Sequence, residues 1–224
     1  MNNLTNDHPN NIENFWGELA PVKQSIQLYA SDEVFLKKLE AFVSGGLWAG
    51  DTVIVITTLA HRNALEKRLK ARGVDIAAAK ERDQYIPLDA RTTLADFMAN
   101  DFPDEDRFNR FVSDLLTRAH QQGPQVRAFS EMVSMLWTYG YHDATIRLEQ
   151  LWHKFCDEKA FCIFCAYPRS GFTQEVSVSL AEICAEHSRV FAEQSLPFLS
   201  YQAEVAANPP VIEPIKIWGD RLVN

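Results

Sequence analysis

The stretch between Ser25 and Ile56 constrains this chain more than any other. Ser25-Ile26-Gln27-Leu28-Tyr29 reads as a strand, and Ala30-Ser31-Asp32-Glu33 leads from it into an amphipathic helix over 34–47. Gly50-Asp51 then turns into a fully apolar strand, Thr52-Val53-Ile54-Val55-Ile56. A strand–turn–helix unit of this kind cradles a triphosphate when its turn carries G-x-x-x-x-G-K-[ST], whose backbone N–H groups and lysine hold the phosphates. Here the turn has no glycine and no lysine, and it carries two carboxylates. Negative charge suits a helix N-terminus and repels phosphate.

The rest of the chain alternates in the same way. A helix is expected from near Ala60, with Leu65 and Leu69 inside and Gly73 as its stop, then a short helical turn over 75–81. Tyr85-Ile86-Pro87-Leu88 reads as a strand that, given Pro87, lies at an edge or ends there. Phe108, Phe111, Val112, Leu115, Leu116 and Ala119 repeat at helical spacing over 104–120. Val126-Arg127-Ala128-Phe129 is the next strand, with a helix from Met132 broken near Gly140. A further helix over 143–157 stacks Ala144, Leu148, Leu151, Trp152 and Phe155, and the Cys162 strand follows. A loop at 169–172 and a last helix over 173–187 complete the series. Such alternation predicts an α/β three-layer sandwich with a mostly parallel central sheet and helices on both faces.

Residues 1–23 read as a flexible N-terminal arm, 24–195 as one domain, and 196–224, with Pro209, Pro210 and Pro214, as an extension packing on it. With 46% apolar residues the chain can fill a core of that size. No apolar run is long enough for a transmembrane helix, and the polar, Asn-rich start has no secretory h-region, so a cytoplasmic protein with no membrane contact is expected. A net charge of −8 argues against a nucleic-acid surface. Cys162 and Cys165 form a C-x-x-C, but within a strand positions three apart face opposite ways, so a shared metal or a disulfide is not expected.

In open parallel sheets, ligands bind beyond the carboxyl ends of the strands. That rule selects Tyr29, Ser31 and Asp32; Thr57, Thr58, His61 and Arg62; Asp89; Phe129 and Glu131; and Tyr167 with Arg169. Asp32 reads equally as a helix N-cap, beside Ser31, and as a ligand contact. His61-Arg62 suits recognition, catalysis or a solvated first turn. Glu131 is a lone carboxylate after an apolar strand, fit for a general base. Tyr29 and Tyr167, at strand ends, are the aromatic pocket candidates. His142, Glu149 and His153 share a helical face that invites a metal, but it lies opposite the apolar stripe and reads as solvated surface. No metal, cofactor or catalytic set is expected.

The ordered series resembles the MEDS family, a sensory domain of methanogens, methylotrophs and the dichloromethane-responsive repressor. It is carried by Ser25 to Tyr29 with Asp32-Glu33, Gly45-Gly46-Leu47-Trp48-Ala49-Gly50-Asp51 with Val53 to Ile56, Ala60-His61-Arg62 and Gly73-Val74-Asp75. Val126 to Val133, Leu148 to Trp152 and Phe164-Cys165-Ala166-Tyr167-Pro168 complete it. The resemblance implies a RecA-like core that has lost nucleotide binding and senses small hydrocarbon-derived compounds. It implies output through a histidine kinase or transcriptional regulator, or through self-association, because an arm of 1–23 is too short to form a helix-turn-helix unit with its own core. The expected ligand contacts are Tyr29, Ser31, Asp32, Thr58, His61, Arg62, Phe129, Glu131 and Tyr167. A residual nucleotide-dependent or hydrolytic enzyme using Asp32, His61 and Glu131, and a ligand-free interaction module, stay open as alternatives.

Overall fold

A computed structural model describes residues 24–121, 125–158, 161–168 and 189–192. The arm, the C-terminal extension, Arg169 and the expected helix over 173–187 lie outside the described residues. The strands are β1 (Gln24–Tyr29), β2 (Thr52–Thr57), β3 (Tyr85–Asp89), β4 (Met98–Ala99), β5 (Phe102–Pro103), β6 (Val126–Ser130), β7 (Cys162–Pro168) and β8 (Arg189–Ala192). The helices are α1 (Asp32–Trp48), α2 (Leu59–Ala71), α3 (Ile76–Glu81), α4 (Ala90–Phe97), α5 (Glu105–Ala119), α6 (Met132–Thr138) and α7 (His142–Glu158). Six strands form one sheet in the order β3-β2-β6-β7-β1-β8, every pairing within it parallel, and β4 and β5 make a separate antiparallel pair. The chain is therefore an α/β three-layer sandwich. β3 lies at an edge, where Pro87 does not interrupt a ladder on its outer side.

Side-chain alternation along the strands divides the interior into two cores. Val53, Val55, Tyr85, Phe129, Cys162 and Phe164 face α1, α2 and α3. Ile54, Ile56, Ile86, Ala128, Ile163, Cys165 and Tyr167 face α4, α5, α6 and α7. The two cysteines of the C-x-x-C thus stand on opposite faces, as their spacing demands, and each is a free thiol. Burial pushes Cys162 up to about 11, with Arg127 pulling it down only in part. This suits an inert packing residue.

Two local features set the position of α1. Its turn from β1 consists of Ala30 and Ser31 alone. Further along, Gly46 lets the helix lie against the sheet, because a Cβ there would stand 2.7 Å from Val53 Cγ2 and 3.1 Å from Arg127 Cδ. Arg127 crosses this contact to pair with Asp51, Nε to Oδ2 at 2.5 Å, and both side chains are buried. On the outer side, Arg68 of α2 bonds Glu33 at 2.5 Å and Glu40 at 3.3 Å, and Arg72 also bonds Glu40. These pairs clasp α1 to α2 and bring their N-termini to the same edge.

Three expectations need correction. Glu149 does not lie on a solvated face with His142 and His153. It is 1% exposed, accepts a bond from Tyr167 Oη at 2.6 Å and stands 3.8 Å from Cys165 Sγ. α7 packs against both the sheet and neighbouring helices, so its buried arc is wider than an apolar stripe and takes in Thr145 and Glu149. Asp32 is not the cap of α1; that position belongs to Ser31, whose side chain makes no capping bond. Finally, α4, the β4–β5 pair and β8 were not anticipated. α4 starts directly from β3, capped by Asp89 Oδ1, which accepts from Arg91 N at 3.1 Å and Thr92 N at 3.0 Å. Asp89 thus has a structural duty.

Candidate functional site

β2 and β6 are neighbours, so the residues just past their carboxyl ends converge. Glu131 follows β6, and its backbone N–H bonds Ile56 O across to β2 at 2.8 Å. Its side chain, 8% exposed, is surrounded by donors. Oε2 accepts from Thr57 Oγ1 and, at 2.9 Å, from Thr58 N. Oε1 meets His61 Nδ1 at 2.7 Å. Thr58 caps α2, its hydroxyl accepting from His61 N at 3.4 Å, which seats His61 in the first helical turn. The other imidazole nitrogen, Nε2, points to Asp32 Oδ2 at 3.7 Å. That is an ion-pair distance but too long for a hydrogen bond.

His61 therefore bridges a buried carboxylate and an exposed one, with side-chain exposures of 8% for Glu131 and 72% for Asp32. Its pKa is raised, first by the bond to Glu131, against the opposing effect of burial, and further by Asp32. Burial pushes Glu131 upward, but the His61 contact and the bonds from Thr57 and Thr58 bring it below the usual carboxylate value. Tyr29 rises with burial and with the negative charge of Glu131 and Asp32, so it stays a neutral phenol. Both shifts favour the ion pair Glu131–His61.

The sign of the pH dependence follows. Glu131, depressed, contributes stability above its unfolded value of 4.5, and loses it as pH falls through the folded value. His61, raised, contributes stability below its unfolded value of 6.5, and loses it as pH rises through the folded value. The pair is fully effective between those limits. Urea midpoints are expected to be highest between about pH 5 and 6.5 and to fall toward pH 8. The alkaline fall should be absent in His61→Gln; a midpoint that is flat from pH 6 to 8 in the parent chain would contradict the charged bridge.

Around this bridge the aromatics are packed. Phe35 stacks on Tyr29 at 4.9 Å, meets the His61 ring edge-on at 5.0 Å and lies 5.5 Å from Phe129. Tyr29 is 7% exposed and Phe129 is fully buried. They wall the site from behind and fix the imidazole plane. Phe35 was missed by sequence reasoning, although it stands three residues after Asp32 on the apolar side of α1. Thr57 was named as part of the loop, without its link to Glu131. Ser31 is exposed at the same mouth, and half-buried Arg62 follows His61. Tyr167 is not brought here: its side chain faces the other core and bonds Glu149. Among the described residues no group of three or more metal-ligating side chains is suitably placed for an ion. The structure thus gathers Asp32, Thr58, His61 and Glu131, backed by Tyr29 and Phe129.

The sequence profile of the MEDS domain, described as the methanogen/methylotroph DcmR sensory domain, matches residues 25–187. This chain belongs to the MEDS family. A comparison with curated proteins returned no match. The family assignment makes this MEDS chain a sensory domain, and the matched span runs from β1 across the whole site just described. No described helix of the MEDS domain is long and apolar enough to cross a membrane.

Proposed function

We propose that this sensory domain binds a small organic molecule at the carboxyl-terminal mouth of its sheet, over His61 and Asp32, and reports the event to a partner protein. One observation carries the reading. Glu131 has its carboxylate filled by protein donors, and it holds the His61 ring so that Nε2 faces outward toward Asp32. A buried carboxylate and two threonines spent on orienting one imidazole edge make a preorganised recognition element. Two further features favour a non-nucleotide ligand. The turn of Ala30 and Ser31 is too short to wrap a phosphate, and Asp32 and Glu33 begin the helix that follows. A histidine kinase, a transcriptional regulator or a second copy of the chain is the partner to test.

Thermal denaturation of the full chain against a panel of small neutral and halogenated organic compounds tests this. A compound at about a hundred times its Kd adds roughly 2.7 kcal/mol, which is a rise of about 5–10 °C for a chain of this size. The rise should vanish in His61→Gln, and ATP or GTP with magnesium should give none. A shift with magnesium nucleotide, or no shift with any compound, counts against the reading. The Glu131–His61 contact also favours an acid–base role for the same dyad. Phosphate release from ATP that disappears in Glu131→Gln would establish that alternative.

A further inference from the structure

Resting on the ligand-site reading above, we propose that the site reaches inward along the sheet to Gln27, whose side-chain amide binds a carboxamide group. Gln27 is fully buried, yet neither its amide nitrogen nor its amide oxygen bonds another protein group. No other described side chain leaves two buried polar atoms in that state. Buried polar groups are bonded in the great majority of cases, because an unmade bond forfeits the hydration of the group. A core glutamine with both of its functions unused is thus matched to a partner from outside the chain.

Strand register places this amide beside the Glu131–His61 pair. Gln27 stands level with Ala166 of β7. Ser130 is level with Cys165 and with Ile56, so Glu131, one step on, comes level with Ala166 and Thr57. Gln27, Ala166, Glu131 and Thr57 therefore form one row. Tyr29 and Ala166 belong to the core under α1, α2 and α3, and Gln27, two residues before Tyr29, points to the same side. The Glu131 carboxylate turns there too, toward Thr57 and His61. β1 and β6 are two strands apart, a span of about 10 Å, and the side chain between them in this row is the methyl group of Ala166. The next row inward holds Phe164 and Phe129, 5.5 Å apart, and Phe35 packs against Tyr29, Phe129 and His61. A short carbon chain laid over Ala166 thus meets aromatic rings. The amide fixes the head group. A carboxylate only accepts, leaves the Gln27 oxygen unbonded and adds a negative charge to the row of Glu131. An ammonium only donates and leaves the Gln27 nitrogen unbonded. A hydroxyl or a water brings a single oxygen to two atoms. A carboxamide offers N–H and C=O at the spacing of the glutamine amide and closes both bonds at once.

The test titrates the isotope-labelled full chain with butyramide, butyrate, n-butylammonium and n-butanol at matched ionic strength. It reads the side-chain NH2 signals of Gln27, assigned by their loss in Gln27→Met. Butyramide should move them, with the other three at least about tenfold weaker. Gln27→Met keeps the length of the side chain without its amide. It should raise the Tm of the ligand-free chain by roughly 2–10 °C. It should also weaken butyramide at least about tenfold, read by the ring signal of His61. A Gln27→Met chain that melts below the parent would show that the amide already has a partner within the protein. Butyramide bound equally by that variant would show that Gln27 does not touch it. Either result overturns the proposal, as does butyrate or butanol moving the Gln27 signals as well as butyramide does. If butyramide leaves those signals in place while another compound raises the Tm in a His61-dependent way, this inference fails and the site reading stands. If neither occurs, both fail.

Discussion

Glu131→Ala is expected to lower the stability of the chain by about 3–5 kcal/mol, read as a fall of roughly 6–20 °C in Tm. The carboxylate is the common acceptor for Thr57 Oγ1, Thr58 N and His61 Nδ1, all at the edge of a packed sheet. Truncation leaves these donors without their partner and the imidazole without its anchor. His61 should then titrate close to or below the ordinary histidine value, because the remaining influence of Asp32 is opposed by burial. Glu131→Gln keeps the shape and an acceptor oxygen but not the charge, and should fall between the two. Urea denaturation together with an NMR titration of His61 separates these outcomes. A loss below about 1 kcal/mol with an unshifted histidine would show that the dyad is not the anchor of this edge.

The second large effect lies at the opposite end of the same strands. Arg127→Leu should cost about 3–5 kcal/mol, because it strands the Asp51 carboxylate without its cation where both side chains are 5% exposed. The double variant Asp51→Leu/Arg127→Leu should recover much of that loss, since no lone charge then stays buried. The double-mutant cycle should give a coupling on the order of 2 kcal/mol. Additive losses in the cycle would mean that Arg127 acts through packing over Gly46 and not through the ion pair. The outcome also bears on the family-like run Gly45-Gly46 to Gly50-Asp51. Gly46 makes room for the guanidinium stem, and Asp51 receives its head.

Much of the fold was legible because the strands are apolar throughout and the helices are periodic. β2 reads as Thr-Val-Ile-Val-Ile-Thr and could only be a strand covered on both sides. α5 buries Phe108, Val112, Leu115 and Leu116 from a clean helical stripe. α4 was missed because it is eight residues long and follows β3 without a connecting loop; its signal is Asp89 as a cap ahead of Leu94 and Phe97. Glu149 was misplaced for a different reason. Its charge suggests solvent, and the bond from Tyr167, distant in sequence, helps to account for its burial.

The site was legible residue by residue but not as a constellation. Asp32, His61 and Glu131 each follow a strand end, and the rule for parallel sheets selects all three. That they meet depends on β2 lying beside β6 and on Arg68 clasping α1 to α2, neither of which a single sequence specifies. Tyr29 and Tyr167 looked equivalent as strand-end aromatics. In the parallel register Leu28 lies opposite Tyr167, so the two tyrosines are one residue out of step and project to opposite sides.

Glu131 stands at the threshold of α6, a helix of the far layer, while Asp32 and His61 open helices of the near one. The bridge that joins them is thus a stitch laced over the rim of the sheet. Cutting it at the imidazole would leave the two layers joined there only by the backbone bond from Glu131 to Ile56 and the threonine contacts.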